Sequence, residues 1–303
     1  MNLKINKFNP GTQFKPKGKG LGIENGIKRI IAVRPFTWKA YSKIFKLIIG
    51  GSKYTGYPVI GSIYKFIMMF SPEKKRFTQG VVVNLNIDLT EKGQSAVLPV
   101  DMMKKSVREA SYLASLNSCI CRTNKKCKEY PIDFGCIFVG EGAKSLVGNG
   151  IARRITADEA ESRIDKAASL GLVGQCLWVE IEQYLWGVKN EHMEKFLEFC
   201  FCCPCCCTAL KVTRNSTRDI RSRFKSLGWM AEVNDRCIDC GKCIEVCPQH
   251  AMKSDGVKVS ADEQCFGCGL CKNACTFSAI EIRLKKEMKD DIKDYFTGLN
   301  LEL

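Results

Sequence analysis

The sequence predicts an α+β protein in which a cysteine-rich C-terminal domain packs on a mixed α/β domain that is also cysteine-rich. Three observations lead to this fold class. The chain of 303 residues is long enough for two domains with a sizeable core. Its middle part combines segments of helical and of alternating hydrophobic periodicity. Its last third holds two cysteine quartets of equal spacing. We therefore expect a basic head over residues 1–76, a mixed domain over 77–228, and a second domain over 229–303 that ends in a helix.

The mixed domain opens with a predicted strand and a predicted helix. Residues 81–89, VVVNLNIDL, alternate from Val83 onward, which is typical of a half-buried strand. Pro99 begins a segment with one apolar side, which predicts an amphipathic helix through about Leu116. This helix is expected to lead the chain into its first group of cysteines.

A capping box predicts the next helix. Thr156 and Glu159 form the motif T-x-x-E, so a helix is expected from there to about Leu170, ending at Gly171. The remaining predictions for this part are a glycine-rich loop, a strand, a basic helix and a charged C-terminal helix, at residues 140–150, 176–186, 216–227 and 285–303.

Charge is concentrated at the N-terminal end. Residues 1–76 hold sixteen Lys or Arg and only two acids, whereas the rest of the chain is nearly balanced. Within this head, residues 27–70 mix lysines with apolar and aromatic residues, and no run is long enough to span a bilayer. The segment predicts either contact with an anionic membrane surface or acidic partner, or a helix whose apolar side covers the body. No nucleic-acid-binding motif is present.

The last third of the chain contains the most specific pattern. Two quartets follow the spacing C-x2-C-x2-C-x3-C: Cys237, Cys240, Cys243 and Cys247, and Cys265, Cys268, Cys271 and Cys275. Eight thiolates in two such sets are what two [4Fe–4S] clusters need. Zinc also uses paired C-x2-C motifs, but usually as two separated pairs, so iron–sulfur clusters are the favoured interpretation.

Around residues 229–285 the chain resembles the bacterial two-cluster ferredoxin, on the strength of these eight cysteines and Pro248. The resemblance implies that cluster one is bound by Cys237, Cys240, Cys243 and Cys275, and cluster two by Cys265, Cys268, Cys271 and Cys247. In one respect this chain departs from the pattern: Thr276 stands where the first quartet has Pro248.

Eleven of the nineteen cysteines lie upstream of this module. Four form a C-x-C-x5-C-x8-C group: Cys119, Cys121, Cys127 and Cys136. Six more fall within residues 200–207, CFCCPCCC, and Cys176 stands alone as an expected core residue. If the tract is extended, alternate residues share a face, so Cys203, Cys205 and Cys207 point together.

Three hypotheses explain the upstream cysteines, beside the simple alternative that they are buried as small hydrophobic residues. The two groups could meet and hold a third cluster, on Cys119, Cys121, Cys127 and Cys136 with Cys203, Cys205 and Cys207. The first four alone could bind zinc. Some could instead act as a redox-active dithiol.

The sequence upstream of the ferredoxin module shows a second resemblance. CICR, a further cysteine before GCIFVGEGA, an RRIT-x-x-EA helix and a CC-x-CCC tract ahead of a ferredoxin module resemble a family of uncharacterised 4Fe–4S-binding proteins of anaerobic bacteria and archaea. This resemblance implies that residues 119–207 form one metal-associated domain, and it implies no particular reaction.

These patterns predict an iron–sulfur electron-transfer protein with two [4Fe–4S] clusters, acting as a carrier or as the electron-input subunit for an anaerobic redox enzyme. The alternative is a reductase whose centre is built from the upstream cysteines. With only two histidines, no Ser-His-Asp arrangement can be argued. The N-terminus lacks an apolar signal region and the cysteines have metal-type spacing, so we expect the protein to lie in a reducing cytosol. Residues 27–70 allow peripheral contact with a membrane as an option. We expect a redox protein as partner. A scaffold that passes clusters on is less consistent with eight matched ligands.

Overall fold

A computed structural model describes residues 38–68, 78–87 and 98–303. The centre is a sheet whose strands are β1 (Gln79–Asn84), β2 (Leu113–Leu116), β3 (Ile137–Val139), β4 (Ala152–Arg154), β5 (Val173–Trp178), β6 (Leu197–Cys202) and β7 (Phe224–Ser226). Their order is β4-β2-β3-β6-β5-β1-β7, and all neighbours are antiparallel except the parallel pair β1 and β7. Strands β1, β2, β3, β5 and most of β6 are buried along their whole length, because helices cover both faces.

Helices accompany the sheet along the chain. They are α1 (Trp38–Ser52), α2 (Pro58–Ile67), α3 (Pro99–Glu109), α4 (Ile120–Lys125), α5 (Lys144–Gly148), α6 (Ala157–Ser169), α7 (Glu182–Trp186), α8 (Thr208–Asn215) and α9 (Arg218–Arg221). Helix α3 packs on α6, and α6 packs on β5. Helix α1 packs on α4 and α8. The fold is thus a mixed α+β arrangement, as the sequence predicts.

The C-terminal part is a small unit with an internal repeat. It contains β8 (Trp229–Val233), α10 (Lys242–Val246), β9 (Met252–Ser254), β10 (Val259–Ala261), α11 (Leu270–Ala274) and β11 (Ile280–Leu284). Strand β8 pairs with β11 and β9 with β10, while α10 packs against α11. The two halves repeat at a constant offset: Gly241 and Gly269, both with positive φ, begin the two helices.

The turn that follows each quartet is the same despite the difference between Pro248 and Thr276. His250 and Ser278 occupy matching positions and have φ values of 54° and 49°. The missing proline therefore does not change the local backbone, since the left-handed residue two positions later sets the turn in both halves.

The two parts of the chain share one core. Phe266 and Leu270 of the ferredoxin module belong to the same buried cluster as the central sheet. So do Ile292, Tyr295 and Leu301 of the C-terminal tail. Residues 285–303 form only a short 3-10 turn at Ile292–Tyr295, so the predicted charged helix is wrong. The apolar side chains have helical spacing, but Ile292, Tyr295, Phe296 and Leu301 enter the core, and Gly298 takes a positive φ of 71°.

Helix α3 corrects a second prediction. It ends at Glu109, where Ala110 adopts an extended conformation, and Leu113 and Leu116 lie in strand β2 instead. Pairing with β3 and β4 buries all of β2, and this tertiary gain outweighs the helical spacing of the two leucines.

Three further segments differ from their predictions. Residues 176–186 are the end of β5 followed by α7, although Trp178 and Trp186 are both buried as core residues. Residues 216–227 contain only the four-residue α9, because Phe224 continues into a strand beside β1. Residues 140–150 are helical, as a 3-10 turn at Glu141–Ala143 and then α5.

The helix start at Thr156 is confirmed, but the capping box is only half formed, because the Glu159 carboxylate accepts from Arg153 Nη1 at 2.9 Å. The first strand is present, but it is buried at every residue and does not alternate. The Glu159 N–H donates to Thr156 Oγ1 at 3.2 Å, and Gly171 has a φ of 66°. Strand β1 ends at Asn84, and residues 88–89 of the predicted strand lie outside the described residues.

Residues 27–37 of the basic segment, like 69 and 70 at its end, also lie outside the described residues. In the described part, Ile44, Phe45 and Ile48 of α1 pack on the core. Helix α2 instead exposes apolar side chains, including Val59 at 70% and Ile60 at 54%. No helix among the described residues combines the length and hydropathy that crossing a membrane requires.

Candidate metal centres

In the ferredoxin module, short loops and helices bring four thiols to the wall of one cavity. A cavity is lined by the four cysteines expected to bind cluster one, Cys237, Cys240, Cys243 and Cys275. Three come from the first quartet and one from the second, so the structure brings together the set that the ferredoxin resemblance implies. Apolar side chains of Val233, Val259 and Ile280 complete the cavity wall.

Backbone N–H groups point at the module's sulfur atoms. Four thiols accept such a bond at 3.3–3.5 Å: Cys247 from Ala251, Cys275 from Ala279, Cys237 from Val259, and Cys265 from Ala231. The last two bonds are reciprocal, because each half of the repeat donates to a thiol of the other half. Donors aimed at sulfur stabilise thiolates and tune a bound cluster, so this donor set fits iron–sulfur ligation.

The two ends of the module differ in exposure. At the cluster-one end Cys240 is exposed, and Ile238 and Phe277 are 59% and 43% exposed. At the cluster-two end Cys268 packs against the core of the central sheet. Asn84 of β1 fixes this end, since its Nδ2 donates to Gly267 O at 3.1 Å.

Burial affects the protonation of the cysteines at the cluster-two end. It raises the pKa of the Cys265 and Cys268 thiols and, together with the charges of Cys265 and Cys247, raises that of Cys271 to about 12. These thiols are therefore protonated at neutral pH without a metal. Positive iron at the centre of the set would release the protons and hold four thiolates.

The upstream cysteines are organised by a buried arginine. Arg122 of α4 is fully buried, and its Nη1 donates to Pro131 O and Phe134 O, each at 3.0 Å. Its Nη2 donates to Phe201 O at 2.6 Å. One guanidinium thus ties the C-x-C helix to the end of β6, where the cysteine tract begins. Sequence inspection placed Arg122 beside the cysteines but gave no sign of this role.

The tract is not one extended segment, which corrects the predicted alternation. Strand β6 ends at Cys202, and residues 203–206 form a turn around Pro204. The Cys207 N–H donates to Cys203 O at 3.2 Å and closes this turn. As a result Cys205 and Cys206, although adjacent, have sulfur atoms 3.5 Å apart, and Cys207 points to the strand and not to Cys203.

The structure divides ten upstream thiols between two places. Four meet near the surface: Cys127, Cys203, Cys205 and Cys206. Six line a partly open cavity of about 100 Å³, here called the thiol chamber: Cys119, Cys121, Cys136, Cys200, Cys202 and Cys207. The predicted zinc set of Cys119, Cys121, Cys127 and Cys136 is therefore not brought together as one group. Cys203 also borders the chamber.

The floor of the thiol chamber is one face of the sheet. Cys136 lies just before β3, and extending the β3–β6 register by one residue places it opposite Cys200; Glu198 and Cys202 share that face with Cys200. The Cys136 and Cys200 sulfur atoms are 3.1 Å apart, and Cys200 Sγ donates to Glu198 Oε1 at 3.1 Å. The Cys200 thiol lowers the pKa of Cys136, but burial and the Glu198 carboxylate outweigh it and raise the pKa to about 11.

The other side of the chamber pairs Cys207 with Cys202. Their sulfur atoms are 3.0 Å apart, and Gln175 Nε2 donates to Cys202 Sγ at 2.9 Å. Cys121 Sγ accepts from the Thr208 N–H at 3.4 Å and donates to Thr208 Oγ1 at 3.2 Å. Cys176 lies on the opposite face of β5, fully buried in the core, where burial alone raises the pKa of its thiol.

The comparisons with known proteins support the C-terminal site. A family model described as "4Fe-4S dicluster domain" matches residues 236–279. No curated protein and no solved structure matches the chain significantly. The matched segment includes all eight cysteines of the two quartets, so this part of the chain is an iron–sulfur module of ferredoxin type.

Proposed function

We propose that this chain is an electron-transfer protein that carries two [4Fe–4S] clusters in residues 237–275. The observation that carries the proposal is the pair of quartets with reciprocal N–H donors, inside the segment that matches a 4Fe-4S dicluster domain. Each such cluster carries one electron at a time. The cysteines of the protein would provide the thiolate ligands, and the surrounding residues would stabilise these thiolates and limit their contact with water. The ligand sets are those given by the ferredoxin resemblance.

The difference in exposure suggests a direction for the module. Cys240 faces solvent between the apolar side chains of Ile238 and Phe277, a suitable surface for brief contact with a redox partner. The cluster-two end faces the core that contains the thiol chamber. We infer that electrons are exchanged with the partner at the cluster-one end and with the upstream domain at the cluster-two end. A reducing cytosol, in an anaerobe as the second resemblance implies, would preserve both clusters.

Metal analysis and EPR test this function. Protein purified without oxygen should contain at least eight iron and about eight sulfide per chain, and its reduced form should show two interacting [4Fe–4S]⁺ signals. Cys240→Ser should change the signal of cluster one alone, and Cys268→Ser that of cluster two. Far fewer than eight iron atoms would reject the proposal.

The exchange surface has its own test. Phe277→Ala and Ile238→Ala should slow reduction of the chain by a small bacterial-type ferredoxin severalfold, because they remove the apolar contact beside Cys240. Val257→Ala is the matched control, since Val257 is 78% exposed on the same module and does not line the cluster-one cavity. Equal rates in all variants would place electron exchange elsewhere.

A second candidate function, a reductase, is favoured by one observation. Cys136 and Cys200 have sulfur atoms 3.1 Å apart in the thiol chamber, beside the Glu198 carboxylate. Joining these two thiols as a disulfide releases two electrons and two protons, and two one-electron carriers match that number. Glu198 is placed to take the proton of Cys200.

Thiol chemistry separates the two candidates. If the chain is a reductase of this kind, oxidised protein should contain a Cys136–Cys200 disulfide that disappears when the clusters are reduced, as measured by alkylation and mass spectrometry. Cys136→Ser should abolish that change and keep both cluster signals. If the two thiols stay reduced at all potentials, the chain is a carrier.

A further inference from the structure

The surface group of upstream cysteines has the geometry of a separate metal site. The sulfur atoms of Cys127, Cys203, Cys205 and Cys206 all lie within 4.8 Å of one another. Cys127 Sγ is 3.8 Å from Cys205 Sγ, which is 3.5 Å from Cys206 Sγ. Cys203 and Cys206 are buried, while the other two are half-buried, so the group lies at the edge of the core.

These separations distinguish one ion from a cluster. Four sulfur atoms at about 2.3 Å from one tetrahedral ion are about 3.8 Å apart. In a cubane each thiolate binds a different iron, so the thiolate sulfur atoms are roughly 6 Å apart. The structure describes all eight cysteines of the ferredoxin module, and no three of them have sulfur atoms within 4.8 Å of one another. The spacing of the sulfur atoms of Cys127, Cys203, Cys205 and Cys206 therefore fits a single ion.

The local backbone is shaped to bring the four sulfur atoms together. Lys126 ends α4 in the left-handed conformation with a φ of 49°, and the Cys127 N–H donates to Arg122 O at 3.0 Å. Lys211 Nζ donates to Cys205 O at 2.6 Å and anchors the turn around Pro204 from helix α8.

The charges nearby suit a tetrathiolate. Four thiolates and a divalent ion leave a net charge of about −2, which needs compensation. The positive charge of the buried Arg122 guanidinium interacts with Cys203, and the backbone N–H groups of Glu129 and Tyr130 face Cys127. Three exposed lysines flank Cys127 in the sequence: Lys125, Lys126 and Lys128.

We propose that Cys127, Cys203, Cys205 and Cys206 bind one tetrahedral divalent metal ion, Zn²⁺ or Fe²⁺, apart from the two clusters of the ferredoxin module. The ion fastens the end of α4 to the turn between β6 and α8. These elements carry Cys121, Cys202 and Cys207, so the ion also fixes one wall of the thiol chamber. This site is independent of the proposed function.

X-ray absorption at the zinc and iron edges tests the site in the full chain, purified without oxygen. If the ion is zinc, the wild-type protein should hold one zinc per chain with four sulfur neighbours at about 2.3 Å. If it is iron, Mössbauer spectra should show one mononuclear high-spin iron in addition to the clusters. Cys127→Ser and Cys206→Ser should each reduce the occupancy of that ion severalfold. Cys176→Ala is the matched control, because this buried thiol belongs to neither upstream group.

The cluster EPR signals, recorded on the same samples, separate this proposal from the proposed function. Unchanged cluster signals in Cys127→Ser show that the chain has folded, so loss of the zinc or mononuclear iron then supports the site. The proposal is overturned if neither metal is present, or if its amount and sulfur coordination are unchanged in both variants. A third cubane that disappears in these variants would also overturn it, since the geometry requires one ion.

Discussion

The two cysteine-rich regions of this chain assemble their thiols in different ways. In the ferredoxin module each quartet is local and repeats at a constant offset, and Cys275 of the second quartet joins three thiols of the first around one cavity. In the upstream region, α4 and the strand β6 are far apart in sequence and meet through Arg122 and the register of the sheet. Local spacing therefore locates the ligand cysteines in the first region and fails to do so in the second.

The largest expected effect comes from removing the connection that the upstream region depends on. Arg122→Ala leaves three carbonyl oxygens, two of them buried, without their charged donor, so it should lower the free energy of unfolding by about 3–5 kcal/mol. Anaerobic urea unfolding measures this loss. Arg163→Ala, at a half-buried arginine that donates to one carbonyl, Gly135 O, should cost less. Equal losses would contradict the special role of Arg122.

A pair of glycine substitutions tests how tightly the module is held against the sheet. A Cβ on Gly267 would lie 2.3 Å from Trp229 O, whereas one on Gly241 would meet nothing within 4 Å. Both glycines have positive φ, so Gly241→Ala should cost about 1–2 kcal/mol. Gly267→Ala should cost more and should shift the EPR signal of cluster two, because Trp229 and its neighbours must move. A shift in cluster one alone would contradict this assignment.

The chamber should make stability depend on pH. Burial, and then the Glu198 carboxylate, raise the pKa of Glu182 well above its ordinary value. Below the ordinary pKa of about 4.5 both folded and unfolded chains are protonated, so the contribution of Glu182 is fully present there. As pH rises above that value toward the folded pKa, stability falls by up to about 1.4 kcal/mol per pH unit.

Glu182→Gln removes this dependence. Unfolding midpoints measured between pH 5 and neutral should become flatter in the variant and higher at neutral pH. Glu191→Gln is a suitable control, because Glu191 is exposed and lies 4.0 Å from Lys189 Nζ. Identical pH profiles for wild type and Glu182→Gln would show that the chamber does not hold a protonated carboxyl.

The smallest effect is expected where the two regions touch. Asn84→Asp replaces the Nδ2 donor to Gly267 O with a negative charge close to the cluster-two ligands. The potential of cluster two should become lower, on the order of tens of millivolts, while that of cluster one stays the same. Redox titration followed by EPR measures both. Equal shifts in the two clusters would mean that Asn84 is not specific to the cluster-two end.

Much of this protein was predictable from sequence where the signal is local. The eight module cysteines, the glycines that begin α10 and α11, and the helix start at Thr156 depend on residues only a few positions apart. Backbone geometry over such short distances is nearly independent of the rest of the chain. The mixed α+β class followed from periodicity for the same reason.

The tertiary structure alone decided how the upstream cysteines are divided between the surface group and the thiol chamber. Cys136 meets Cys200 because β3 and β6 pair in a particular register, and Cys127 meets Cys205 because a turn reverses the tract at Pro204. Likewise, Leu113 and Leu116 fit a helix by spacing, but pairing with two strands places them in the sheet. Contacts between distant segments are set by the packing of the whole core, and that free energy is not contained in any local pattern.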